Sequence, residues 1–210
     1  MASSRLIRAG AIAILISGAL TVIADLVRLL TDIDFENVSD AATRDAWLVV
    51  VVPYLLATVL LLVGLIALHA RQSEAAGIPG LVGFLIAFLG TALVLGLNWA
   101  EVFVLPSLAV EAPIFLRTEQ VAGALNLWYT VTFLFFAVGL VLFGVAALWA
   151  GVYPRVAAIV FIVGALIELA SVFVQFPLNN VVSGVGAAWL GFALLSGRLR
   201  EGAGWQSLRG

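Results

Sequence analysis

Residues 47–69 read WLVVVVPYLLATVLLLVGLIALH, a run with no acidic or arginine side chain until Arg71. A helix needs about 20 apolar residues to cross the roughly 30 Å hydrocarbon core of a bilayer. The run is long enough. In lipid, a helix also satisfies every backbone polar group within one segment, which an isolated strand cannot do. Working outward, the same measure selects Leu6–Val27, Ile78–Val104, Leu127–Ala150, Val156–Phe176 and, at the margin, Leu178–Ser196. With Trp47–His69 these predict an all-α membrane protein, a bundle of six transmembrane helices forming a single integral membrane domain over residues 1–210.

The composition points the same way. Hydrophobic residues make up 64% of the chain and charged residues 10%, whereas a soluble domain carries about 25% charged residues. Mean hydropathy is +1.20. The solvent of most of this surface is therefore expected to be lipid. A net charge of -2 gives no electrostatic case for nucleic acid.

The missing residue types exclude several chemistries. Without cysteine there is no disulfide, thiolate nucleophile, iron–sulfur cluster or cysteine zinc site. Every basic residue is arginine, so a retinal Schiff base, a pyridoxal phosphate site and a Walker-type lysine are excluded as well. His69 is the single histidine, which rules out bis-histidine haem ligation within one chain. No cofactor and no metal site is expected. Asp32, Asp34 and Glu36 begin like a calcium loop, but the glycine of the turn and the closing glutamate are missing.

Arginine placement predicts orientation, because cytoplasmic loops carry the excess of basic residues. With the N-terminus inside, Arg5, Arg8, Arg71, Arg155, Arg198, Arg200 and Arg209 lie on the inner side, and Arg28, Arg44 and Arg117 on the outer side. Seven against three favours a multi-pass protein of the cytoplasmic membrane with both termini cytoplasmic. Arg5, Arg8 and the small residues ending at Ala24 also have the form of a signal peptide. The apolar run exceeds the usual length of such a peptide, so an uncleaved first helix is expected, cleavage being the alternative. All-arginine usage suggests a bacterial source.

Two connections on the outer side carry features of their own. Ser39 or Asp40 is expected to cap a short helix leading into the second span. Pro113-Ile114-Phe115-Leu116 is expected to lie in the membrane interface.

Small residues recur along the predicted spans. Gly18-Ala19-Leu20, Gly90-Thr91-Ala92-Leu93 and Gly164-Ala165-Leu166 mark the odd helices; Gly64, Gly144 and Gly191 mark the even ones. Glycine lets helix backbones approach closely, and the pattern suggests three αα-hairpin repeats. The stretch from His69-Ala70-Arg71-Gln72 to Asn98-Trp99-Ala100-Glu101-Val102-Phe103-Val104-Leu105-Pro106 resembles a family of small multi-helix bacterial membrane proteins defined as a domain of unknown function. That resemblance implies a multi-helix membrane fold and no activity, and it carries over no site residue.

Ionisable groups within a span cost about 2.5–3.5 kcal/mol on insertion scales and each needs a reason. Asp25, Glu101 and Glu168 are such groups. Asn98 shares a helix face with Glu101, Tyr54 and Tyr129 enter from the outer ends of even helices, and Gln175, Asn179 and Asn180 stand at the outer end of the last hairpin. These groups would gather in a polar cavity open to the outer side, giving Glu168, Glu101, Asn98, Asp25, Tyr54 and Tyr129 as ligand-binding candidates, with catalytic residues unknown. The plainer alternative pairs Asp25 with Arg28, sends Glu101 to the headgroups and assigns Trp47, Trp99, Trp128 and Tyr129 to an interfacial belt. It explains Glu168 poorly, since a short acid at mid-span cannot snorkel. Tyr54, Tyr129 or Asn98 is the expected hydrogen-bond partner of Glu168. His69 is expected to be a solvated helix-end residue.

The expected function is binding or transport of a small lipophilic molecule. The alternatives are a membrane-embedded enzyme with a carboxyl group as general acid, and an accessory or sensory subunit. The expected partners are the lipid bilayer, a small lipophilic ligand, and a partner membrane subunit or a homo-oligomer.

Overall fold

The structure is a computed structural model describing residues 2–33, 35, 37–117, 119–174 and 178–197, without the side chains of 2–4, 119–122 and 125. Asp34, Glu36, Gln175, Phe176, Pro177, Arg198, Arg200 and Arg209 lie outside the described residues. Among the described residues the chain is all-α and has no strand. The helices are α1 (Ala2–Thr31), α2 (Val38–Ala41), α3 (Ala46–Phe103), α4 (Leu105–Glu111), α5 (Pro113–Arg117), α6 (Glu119–Ala150), α7 (Arg155–Ser171) and α8 (Val181–Leu195).

Helix α3 has 58 residues and would be about 87 Å long if straight, at 1.5 Å per residue. It is not straight. Gly77 has φ 54° and ψ -147°, a region essentially restricted to glycine, and Pro79 follows in the first turn of the second arm, where proline is tolerated. The two arms pack together: Asn98 donates to Thr58 Oγ1 at 2.8 Å, and His69 stacks on Phe84 at 4.3 Å. The first arm continues to Gly77 rather than ending at His69, because residues 70–76 are mostly good helix formers.

Six rods therefore stand side by side, and they close into a ring. Helix α1 packs on α3, α3 on α6, α6 on α7, α7 on α8, and α8 on α1. The contacts are made through small residues. A Cβ on Gly18 would lie 2.2 Å from the carbonyl oxygen of Gly184, and one on Gly164 2.2 Å from the backbone nitrogen of Ser183. A Cβ on Gly90 would meet the Phe136 backbone at 2.6 Å. The three glycines chosen from sequence thus all stand at helix–helix contacts.

The exterior is the inverse of a soluble protein's. Ala11, Ala87, Ala157 and Ala165 are fully buried, while Ile12, Leu56, Leu89, Phe135, Val163 and Trp189 face outward. Large apolar side chains cover the outside, as lipid solvent allows, since hydrocarbon gives no drive to bury leucine, and the inside mixes small residues with Phe143, Phe161, Leu65 and Leu190. Among the described residues, three helical stretches are long and apolar enough to cross a membrane: Arg5–Thr31, Ala46–Phe103 and Asn126–Ala150. The architecture is consistent with membrane localisation. Helices α7 and α8 have 17 and 15 residues, about 25 and 22 Å, and are shorter than the predicted spans. Glu168 is thus in the last turn of α7, not near mid-helix.

One end of the ring, the amino pole, carries the start of α1, the Gly77 bend and the α6–α7 connection. The opposite end, the loop pole, carries α2, α4, α5 and the α7–α8 turn. A second small core roofs the loop pole, with Ile33, Ala42, Trp47, Val50, Leu105 and Leu116 buried in it. Arg44 ties this roof to the end of α1 by donating to the carbonyls of Asp32 (2.6 Å) and Thr31 (2.8 Å), which the last helical turn leaves unsatisfied. The expected caps differ from those observed. Asn37 and Asp45 hold the N-cap positions of α2 and α3, without side-chain capping bonds. Ser39 and Asp40 instead receive Arg117 from α5. Ile114 and Phe115 are exposed, while Leu116 turns into the roof.

Candidate functional site

Each rod presents one polar or small-residue face to the inside of the loop pole, spaced at the helical repeat. Helix α1 contributes Ser17, Thr21 and Arg28; the first arm of α3 gives Tyr54, Thr58 and Leu61, and the second arm Val94, Asn98 and Glu101. Helix α6 gives Asn126, Tyr129, Thr130, Phe133 and Phe136; α7 gives Phe161, Glu168 and Ser171; α8 gives Ser183, Gly184 and Ala187. These faces enclose a cavity of about 780 Å³, within the size range of small-molecule sites.

Five of the six sequence candidates line this cavity: Tyr54, Asn98, Glu101, Tyr129 and Glu168. Asp25 stands one layer behind. Its carboxylate accepts the Tyr54 hydroxyl, the Asn180 backbone N–H at 2.9 Å and the Asn180 side-chain amide at 2.9 Å. Asn180 is the N-cap residue of α8, so Asp25 supplies an acceptor from another helix to a helix start, where negative charge is favoured. Two residues before Asn180, Leu178 has φ 60°, a left-handed conformation uncommon for a non-glycine residue.

The plain alternative for the acids does not hold. Asp25 is buried and bonded to Tyr54 and Asn180, while Arg28 lies over the Phe35 ring at 4.8 Å from its centroid. Glu101 is buried rather than among headgroups, and accepts from Tyr129 at 2.8 Å. The proposed belt divides. Trp99 and Trp128 face outward, but Trp47 is 1% exposed and donates from Nε1 to the Glu101 carbonyl at 2.8 Å. Tyr129 turns inward.

Glu168 differs from the other two acids. It is 6% exposed. Its Oε1 accepts the Ser183 hydroxyl, not Tyr54, Tyr129 or Asn98, because α8 lies directly against α7 there. Its Oε2 is buried and has no partner. A buried oxygen without a hydrogen bond costs about 1–3 kcal/mol, and Glu168 is one of the residues that line the cavity.

At the mouth, Arg117 donates from Nε to Ser39 at 3.1 Å and pairs with Asp40, joining α5 to α2. Asp40 is exposed, and its carboxyl is held below the ordinary value of 3.8 by the Asn37 amide and then by Arg117.

Sequence reading missed Ser17, Thr58 and Ser183. Each was reachable by stepping one or two turns along a helix face already marked by a polar residue, as Thr58 follows Tyr54 by four positions. His69 is not simply solvated: it stacks on Phe84 and its Nδ1 is buried without a partner. No group of three or more potential metal ligands occurs among the described residues.

Comparison with protein-family models, curated proteins and solved structures finds no match.

Proposed function

We propose that this chain is a bacterial six-span protein of the cytoplasmic membrane, with both termini cytoplasmic, that binds or transports a small lipophilic molecule in the loop-pole cavity. The observation that carries this reading is the cavity itself: Leu61, Phe133, Phe136 and Phe161 face it beside convergent polar side chains, one of which bears a buried carboxyl oxygen without a partner. A concave site that combines apolar and aromatic surface with orienting polar groups is the usual form of a ligand site. The arginine distribution puts the loop pole on the outer side of the membrane. Buried carboxyl–tyrosine pairs also suit acid–base chemistry, but they support it less well, since both tyrosines already donate to carboxylates behind or beside the cavity.

The test is native mass spectrometry of the full chain released from mild detergent, with reporter fusions at Gln72 and Glu119. The expected result is one stoichiometric small-molecule adduct, with Gln72 cytoplasmic and Glu119 outside. Bare protein in several detergents would refute the binding reading, and a cytoplasmic signal at Glu119 would refute the orientation.

A further inference from the structure

We infer that the cavity ligand carries an N–H ammonium group on an apolar body, and that the carboxyl group of Glu168, which lines the cavity, receives it. This rests on the binding role proposed above and specifies its ligand class.

The argument separates the three buried acids by their remaining hydrogen-bonding capacity. Asp25 already takes three donors and lies outside the cavity wall. Glu101 takes the Tyr129 hydroxyl and has no buried oxygen left without a partner. Glu168 has one donor, Ser183, and one buried oxygen without any. An ionised Glu168 is completed by a donor, and a charge-assisted N–H to a carboxylate is about twice as strong as a neutral hydrogen bond. The protonated amine and the carboxylate are neutral as a pair, so the pair avoids most of the cost of an isolated charge at this depth. A carboxylate ligand is disfavoured, because it would face Glu168 with Asp25 behind it. A quaternary ammonium lacks the N–H that the carboxylate accepts.

The surrounding wall fits the rest of such a molecule. Phe133, Phe136 and Phe161 line the same cavity, and aromatic faces attract cations as well as apolar groups. The same ammonium chemistry is offered by a free lipophilic amine and by the ethanolamine headgroup of a phospholipid.

The probes are 4-phenylbutylamine and its neutral isostere 4-phenylbutan-1-ol, measured by equilibrium dialysis against the full chain in phosphatidylcholine nanodiscs, with empty discs subtracted. The amine is expected to bind at least tenfold more tightly than the alcohol. Glu168→Gln should reduce that preference to under threefold, chiefly by weakening amine binding, and Glu168→Asp should restore part of it. The wild-type comparison needs no variant to fold. Equal binding of both probes would overturn the ammonium assignment and leave the binding role standing. Binding of neither would overturn both. Repeating the assay with phosphatidylethanolamine in the discs separates the sources. Competition identifies the headgroup, and undiminished amine binding identifies a free amine.

Discussion

The two poles of the bundle are built from the same six rods and solve different problems. At the amino pole the rods touch backbone to side chain. A Cβ on Gly10 would lie 2.2 Å from Ala67 Cβ, one on Gly64 2.4 Å from Ile14 Cβ, and one on Gly191 2.8 Å from the Ala11 carbonyl. Tyr153 closes this end, fully buried and donating to the Leu68 carbonyl at 2.7 Å. At the loop pole, tyrosines, asparagines and acids fill the space between the rods, and the cavity lies among them. The difference teaches that a helical bundle in lipid is held by close approach of small residues at one depth and can be left open at another. Van der Waals packing, rather than expulsion of leucine from water, is what holds the rods. The substitutions that follow test that division.

The largest effect is expected where the two regimes meet. Gly164→Leu would drive a side chain into the Ser183 backbone at 2.2–2.4 Å, where no flexible atom can yield, so a loss of about 3 kcal/mol or more is expected, at or beyond the usual cost of overpacking. Gly96→Ala is the control, since nothing lies within 4 Å of a Cβ there. Melting followed by circular dichroism in detergent should separate them widely, and equal midpoints would mean the α7–α8 contact does not hold the bundle.

A smaller loss is expected behind the cavity. Asp25→Ala leaves the Tyr54 hydroxyl and both Asn180 donors without their acceptor, but these bonds are only part-buried and border the cavity, so the total loss is expected to be about 1–3 kcal/mol. Glu168→Gln, which preserves shape, should shift the same melting curve little. The reverse order would show that Glu168 is the structural acid and Asp25 the available one.

The smallest effect is expected at the amino pole, with the opposite sign. Gln72 is fully buried and neither polar atom of its side chain has a partner. Gln72→Leu keeps approximate volume and removes both, so it should be neutral or stabilising by up to about 1 kcal/mol. A clear drop in midpoint would reveal a polar partner for Gln72.

Hydropathy marked the long apolar stretches, because a run such as residues 47–69 has few alternatives to a helix in lipid. The marginal end of the chain was less legible. Predicted spans at Val156–Phe176 and Leu178–Ser196 became the shorter α7 and α8, since polarity along a single helix does not reveal where a turn held by another element will stop it. Of the site, intrahelical neighbours were readable: Asn98 and Glu101 share a face by spacing alone.

Residue by residue, the sequence determined that most of the surface is apolar, which side-chain chemistries are absent, and which acids stand out in apolar surroundings. The tertiary structure alone decided how those acids differ. Asp25 and Asn180 are 155 positions apart, and Glu168 meets Ser183 only because Gly164 lets α7 and α8 touch. A carboxyl group's role depends on how many donors reach its two oxygens, and those donors come from other helices. Their arrival is set by the closing of the ring, which no periodicity within one helix encodes.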